Sequence, residues 1–157
     1  MAFELSDLKK NYAVFEKKYK LPSFKDLNED FEIEKIEKES DNLLRVIRKT
    51  MMEKIVNSLN FLEMLLNPVN APRIYIVYIN GMSIEDKKTI DNIYSSLGDL
   101  NLVSLSLEIK YNEKAEADGI KNIFEKWNSV KDDFSRIFSN MNKPVVNNIK
   151  REKTYFG

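Results

Sequence analysis

The chain has 157 residues, with 25 basic and 25 acidic side chains, no histidine and no cysteine. The two missing residue types exclude disulfides, thiolate nucleophiles, iron–sulfur clusters, Ser-His-Asp triads and imidazole proton shuttles. Chemistry, if present, falls to carboxylates, Lys, Tyr, Ser or Thr, or a hard metal ion held by oxygens, and zero net charge argues against nucleic-acid binding by bulk charge alone.

The length suits one domain, and a hydrophobic content of 43% supports a core without covalent staples. Residues 1–7 are acidic and carry no secretory signal pattern. The longest apolar run, Ile74 to Ile79, is far short of the roughly 20 residues that span a bilayer. The expectation is a soluble cytoplasmic protein with no membrane partner.

In chain order, Leu5, Leu8, Tyr12, Phe15 and Tyr19 recur at helical spacing behind Ser6 as N-cap, predicting a helix over 7–20 that Pro22 ends. Ser23 with Asp26 forms a capping box for a helix over 24–38. Residues 30–41 are dense in charge, which reads either as a cation site or as a solvated face with pairs such as Glu34–Lys38. Leu44, Ile47, Met51, Ile55, Leu59, Leu62 and Leu66 mark a central helix over 41–67, stopped at Asn67-Pro68.

Arg73 to Ile79 is β-branched and aromatic, bounded by Pro72 and Asn80-Gly81, and predicts a buried strand. Ser83 with Asp86 opens a helix over 84–97, which Gly98 ends. Val103, Leu105, Leu107 and Ile109 then alternate with polar residues as a second strand. A last helix over 112–141 follows from Ile120, Ile123, Trp127, Val130, Phe134, Ile137 and Met141. The predicted fold class is therefore α+β: one mostly helical domain over 1–141 with two short strands, about 73–79 and 102–109, in a βαβ-like unit. Residues 142–157 read as a basic, flexible tail. An all-α bundle is the competing reading, because Leu97, Leu100, Val103 and Leu107 also fit a helical stripe.

Four glycines admit neither a GxGxxG nor a Walker A loop. The most suggestive junction is Ile79 to Asp86, at the carboxyl end of the first predicted strand. There Glu85, Asp86 and, from the second strand, Glu108 would hold Mg²⁺, and Lys87 or Lys88 would neutralise a developing oxyanion. The structural explanation for the same residues is helix capping and first-turn charge. The arrangement strand, Gly81-Met82-Ser83, helix resembles the opening of the nucleotidyltransferase superfamily. That resemblance implies two metal ions on carboxylates and phosphoryl transfer from nucleotides, with Glu85, Asp86 and Glu108 as ligands.

Two further places invite ligands. Lys143, Lys150, Arg151, Lys153 and Tyr155 in the tail, with Arg45, Arg48 and Lys49 on the central helix, would contact phosphates and stack bases. Tyr75, Tyr78, Tyr94, Tyr111 and Trp127 would line a pocket or a partner interface, or simply fill the core. Two function classes result. One is a non-enzymatic binding or assembly module with a nucleic-acid or protein partner, a homo-oligomer among the options; the other is a Mg²⁺-dependent nuclease or nucleotidyl-transfer relative.

Overall fold

A computed structural model describes the backbone of residues 3–155 and the side chains of residues 3–141. It contains six α-helices: α1 (Leu5–Tyr19), α2 (Phe24–Phe31), α3 (Leu43–Leu66), α4 (Arg73–Gly81), α5 (Ile84–Leu107) and α6 (Glu113–Tyr155). Short 3-10 turns cover Ile33–Lys35 and Pro68–Asn70. No strand occurs among the described residues, so the α+β assignment is corrected to an all-helical fold.

Both predicted strands are helix, for physical reasons that the one-dimensional pattern concealed. In α5 the buried positions are Ile90, Ile93, Leu97, Leu100 and Ser104, a 3,4,3,4 stripe that passes straight through Gly98. Val103 and Leu105, two of the four residues that suggested alternation, are exposed instead. A single extended segment at 73–79 would then have no partner for its backbone groups, and a helix satisfies them internally. Pro72 precedes the first turn of α4, where its missing N–H costs nothing. Tyr75, Tyr78, Ile79 and Met82 face the core, while Ile74, Ile76 and Val77 face out.

Helix ends explain the remaining boundaries. At α1 the capping box is Glu4 with Asp7, two residues before the expected Ser6. Ser23 Oγ accepts from the Asp26 N–H at 3.1 Å and Ser83 Oγ from the Asp86 N–H at 3.0 Å, so both of those caps form. The helix expected over 24–38 stops at Phe31 because Glu32 turns left-handed, at φ 52°. Asn28 holds the turn: its backbone oxygen accepts from Glu32 N–H and its side-chain oxygen from Glu34 N–H.

Three long helices, α3, α5 and α6, pack on one another and form the bundle. Arg136 reaches Thr89, Asn140 reaches Asp86, and Gly119 meets Leu107, which makes α5 and α6 an antiparallel hairpin in constant register. Arg45 reaches Leu107, Arg48 reaches Ser104 and Glu63 meets Tyr94, so α3 also runs antiparallel to α5 and parallel to α6. α1 meets the start of α6, where Lys18 and Tyr19 donate to Glu113. α2 lies partway along α3 and α6, with Phe31 against Lys54 and Trp127. The Tyr12 hydroxyl donates to the Pro22 carbonyl at 2.6 Å. α4 lies against α6. The backbone of α6 continues to Tyr155, beyond the expected helix end at residue 141, while the side chains of residues 142–157, on which the basic-tail reading rests, are outside those described.

Candidate functional site

Two features stand out where the helices meet, a buried polar layer and an open groove. The layer comes first because it accounts for the central basic cluster. Arg48, Ser104 and Glu116 are the buried polar side chains among the described residues, and all three belong to one network. Each occupies a position on the apolar stripe of its own helix: Arg48 four residues after Leu44, Ser104 four after Leu100, Glu116 four before Ile120. Arg48 donates to Glu116 and to Ser104 Oγ, and its Nη2 donates to Glu108 Oε1 at 2.6 Å. Arg45 closes the other side, donating to Glu116 Oε1 at 2.9 Å and to the Leu107 carbonyl at 2.6 Å, with its guanidinium over the Tyr111 ring. Lys49 reaches Glu108 at 3.3 Å.

The hydrogen bond from Arg48 holds the Glu108 carboxyl below its ordinary range, more strongly than partial burial raises it. Gly119 makes the close approach of α6 possible. A Cβ there would meet Leu107 Cδ1 at 3.1 Å and Arg48 Cδ at 3.2 Å.

The nucleic-acid and metal candidates are therefore distributed as follows. Arg45 and Arg48 turn their charge to Glu116 and Glu108, while Lys49 pairs with Glu108 and stays exposed. Lys143, Lys150, Arg151, Lys153 and Tyr155 lie outside the described side chains. Glu85, Asp86 and Lys87 share the first turn of α5, Asp86 as the N3 residue capped by Ser83. Glu108 is at the other end of the same helix, some 23 residues or about 34 Å away. The structure does not bring it to Glu85 and Asp86, and no group of three acids poised to hold a metal occurs among the described residues.

The groove has a volume of about 1450 Å³. Its floor is the outward side of α3 from Val46 to Phe61 and of α6 from Trp127 to Phe138, and its lip is residues 29–40. Rings run without a break along and beyond it. Phe31 packs on Trp127, Trp127 on Phe134, Phe134 on Phe138 and Phe138 on Phe61, with centroid separations of 5.3–6.1 Å. Phe61 continues to Tyr75 and Tyr78 of α4. Phe138 remains 47% exposed. The Lys54 ammonium sits over the Trp127 ring, 4.7 Å from its centroid, and donates to the Asp30 carbonyl. Trp127 Nε1 is buried without an acceptor.

Of the aromatic residues singled out above, Trp127 lines this groove and Tyr75 extends its ring path. Tyr94 instead meets Glu63, which raises its hydroxyl pKa, and Tyr111 lies under Arg45. The groove itself was hidden because α3 and α6 contribute to it from positions some eighty residues apart. One trace existed: Phe138 sits beside Ile137, widening the α6 stripe beyond what one packed face needs. No protein-family model, no curated protein and no solved structure matches this chain.

Proposed function

We propose that the chain is a non-enzymatic docking module whose α3–α6 groove receives an amphipathic segment of another protein. The observation that carries this is the groove: open along two helices, rimmed by charge, with Phe138 and part of Phe61 bare on its floor above rings that belong to the core. Its volume of about 1450 Å³ exceeds the roughly 300–1,000 Å³ of small-molecule sites. Helix-in-groove recognition needs this kind of apolar trough between helices. A nucleic-acid contact through the basic tail remains part of the same class. The central basic cluster adds little to it, since its cations are matched by carboxylates.

The test follows Trp127, the one tryptophan in the chain. A helical peptide with a Leu/Phe stripe and a neutral polar face should shift its emission on titration. Phe138→Asp, a change at an exposed ring, should weaken that binding at least about ten-fold while leaving helicity intact. An unchanged spectrum at saturating peptide counts against the docking reading.

A Mg²⁺-dependent nuclease or nucleotidyl-transfer relative is the second reading. Glu85 and Asp86, adjacent in the first turn of α5, are what remains of its carboxylate set. Asp86 is partly buried beside Asn140, helix stands in place of the preceding strand, and Glu108 is at the far end of α5. Metal-dependent cleavage of DNA or RNA, abolished by Glu85→Ala or Asp86→Ala with the fold intact, would put this reading first.

A further inference from the structure

Resting on the docking reading, we propose that the occupant of the groove is a basic amphipathic helix, its apolar stripe on the rings and its lysines or arginines along the lip. Length and charge both lead there. The α3 floor spans Val46 to Phe61, or about 22 Å at 1.5 Å per residue, which is four turns of a docked helix. Seven acidic and four basic side chains line the groove, a lining charge of 4 − 7 = −3. The pairing of those charges sharpens the imbalance. Lys35 pairs with Glu32 and Lys131 with Asp30, while Lys54 is drawn down over Trp127. Glu37, Glu39, Glu53 and Asp132 are exposed and have no ion-pair partner among the described residues. Lys38 is the single lining cation outside an ion pair or a ring contact there.

A partner with cations flanking its apolar stripe would meet those four carboxylates as it seats. An acidic helix, or the phosphates of a nucleic acid, would meet like charge, which costs affinity and slows encounter. The apolar floor supplies the binding energy and the lip selects the sign of the partner.

Three peptides of equal length and identical Leu/Phe stripe test the selection, with the polar face all Lys, all Gln or all Glu. They are titrated into the intact chain, with Trp127 emission and calorimetry as readouts. The Lys peptide should bind at least about ten-fold tighter than the Gln peptide and tighter still than the Glu peptide, an advantage that shrinks as salt rises. Glu37→Lys, Glu39→Lys and Asp132→Lys together should remove the preference, because all three are surface positions whose exchange leaves the core untouched. Asp91→Lys, on α5 away from the groove, should leave it in place.

Equal affinity for all three peptides would overturn the charge selection and leave the docking reading standing. Failure of every peptide to bind would sink both. Self-association of the chain that shields Trp127, or salt-sensitive quenching of Trp127 by single-stranded DNA, would hand the groove to another occupant and overturn the proposal.

Discussion

At the scale of single residues, the Arg48 layer concentrates more consequence than any other place in the molecule. A buried carboxylate loses its main partner if Arg48 is replaced, and removal of one member of a buried pair costs about 3–5 kcal/mol. Arg48→Met should therefore lower unfolding free energy by that order in urea titrations, with Arg45 retaining part of the pairing to Glu116. The double change Arg48→Met with Glu116→Leu should cost less than Arg48→Met alone, since the fully buried carboxylate is then gone and Arg45, one-fifth exposed, keeps the Leu107 carbonyl. Acid sensitivity follows from the neighbour. Arg48 depresses the Glu108 carboxyl below its ordinary value of 4.5, so its stabilising contribution is present above that value. It is lost as pH falls through the lower native value. Urea midpoints measured from neutral pH down to pH 3 should fall less steeply for Glu108→Gln. Glu113, held low by Lys18 and Tyr19, adds to the same slope.

At the scale of elements, α5 and α6 each carry one helical glycine, Gly98 and Gly119, and the two differ in surroundings. Gly98 has nothing within 4 Å of where a Cβ would stand, whereas Gly119 faces Leu107 and Arg48 at 3.1–3.2 Å. Gly98→Ala should stabilise by about 0.5–1 kcal/mol, because it removes backbone entropy from the unfolded chain and fills open space. Gly119→Ala should have the opposite sign, pressing on Arg48 and the layer around it. Thermal unfolding of the pair measures both, and a stabilised Gly119→Ala would contradict the packing described. The same elements show what the sequence could and could not disclose. α1, α3 and α6 were legible because their apolar residues recur at 3,4 spacing over long stretches. α5 misled because Ser104, a polar residue, fills a buried stripe position, and because Val103 and Leu105 are exposed apolar residues that imitate alternation. α4 misled because its β-branched residues suggest a strand although Ile74, Ile76 and Val77 stay exposed and only Ile79 is buried; strand preference depends on a packed surface that this segment lacks. The groove lip at Glu37 and Glu39 was visible as charge density, but only tertiary packing sets it opposite the α6 rings.

At the scale of the whole molecule, a neutral total conceals an uneven surface. Arg48 and Glu116 cancel each other inside the α3–α5–α6 junction, whereas carboxylates that have no ion-pair partner among the described residues line the groove. Zero net charge is therefore a poor guide to what this surface attracts. The ring path from Phe31 to Tyr78 crosses α2, α3, α4 and α6, so it couples the floor to the rest of the core. Phe134→Ala, at a ring only 6% exposed, should cost about 3–5 kcal/mol in chemical denaturation, as large-to-small core changes do.

The three polar residues on three helical stripes also act as an index mark between otherwise uniform apolar seams. Leucine and isoleucine faces tolerate sliding by a turn, since one aliphatic contact substitutes for the next. Moving α6 by four residues would set Ile120 against two guanidinium groups and carry Glu116 in among hydrocarbon. Only one alignment of the bundle keeps the charges of this layer matched, and that alignment also sets the spacing between the α3 and α6 rings along which a visiting helix would lie.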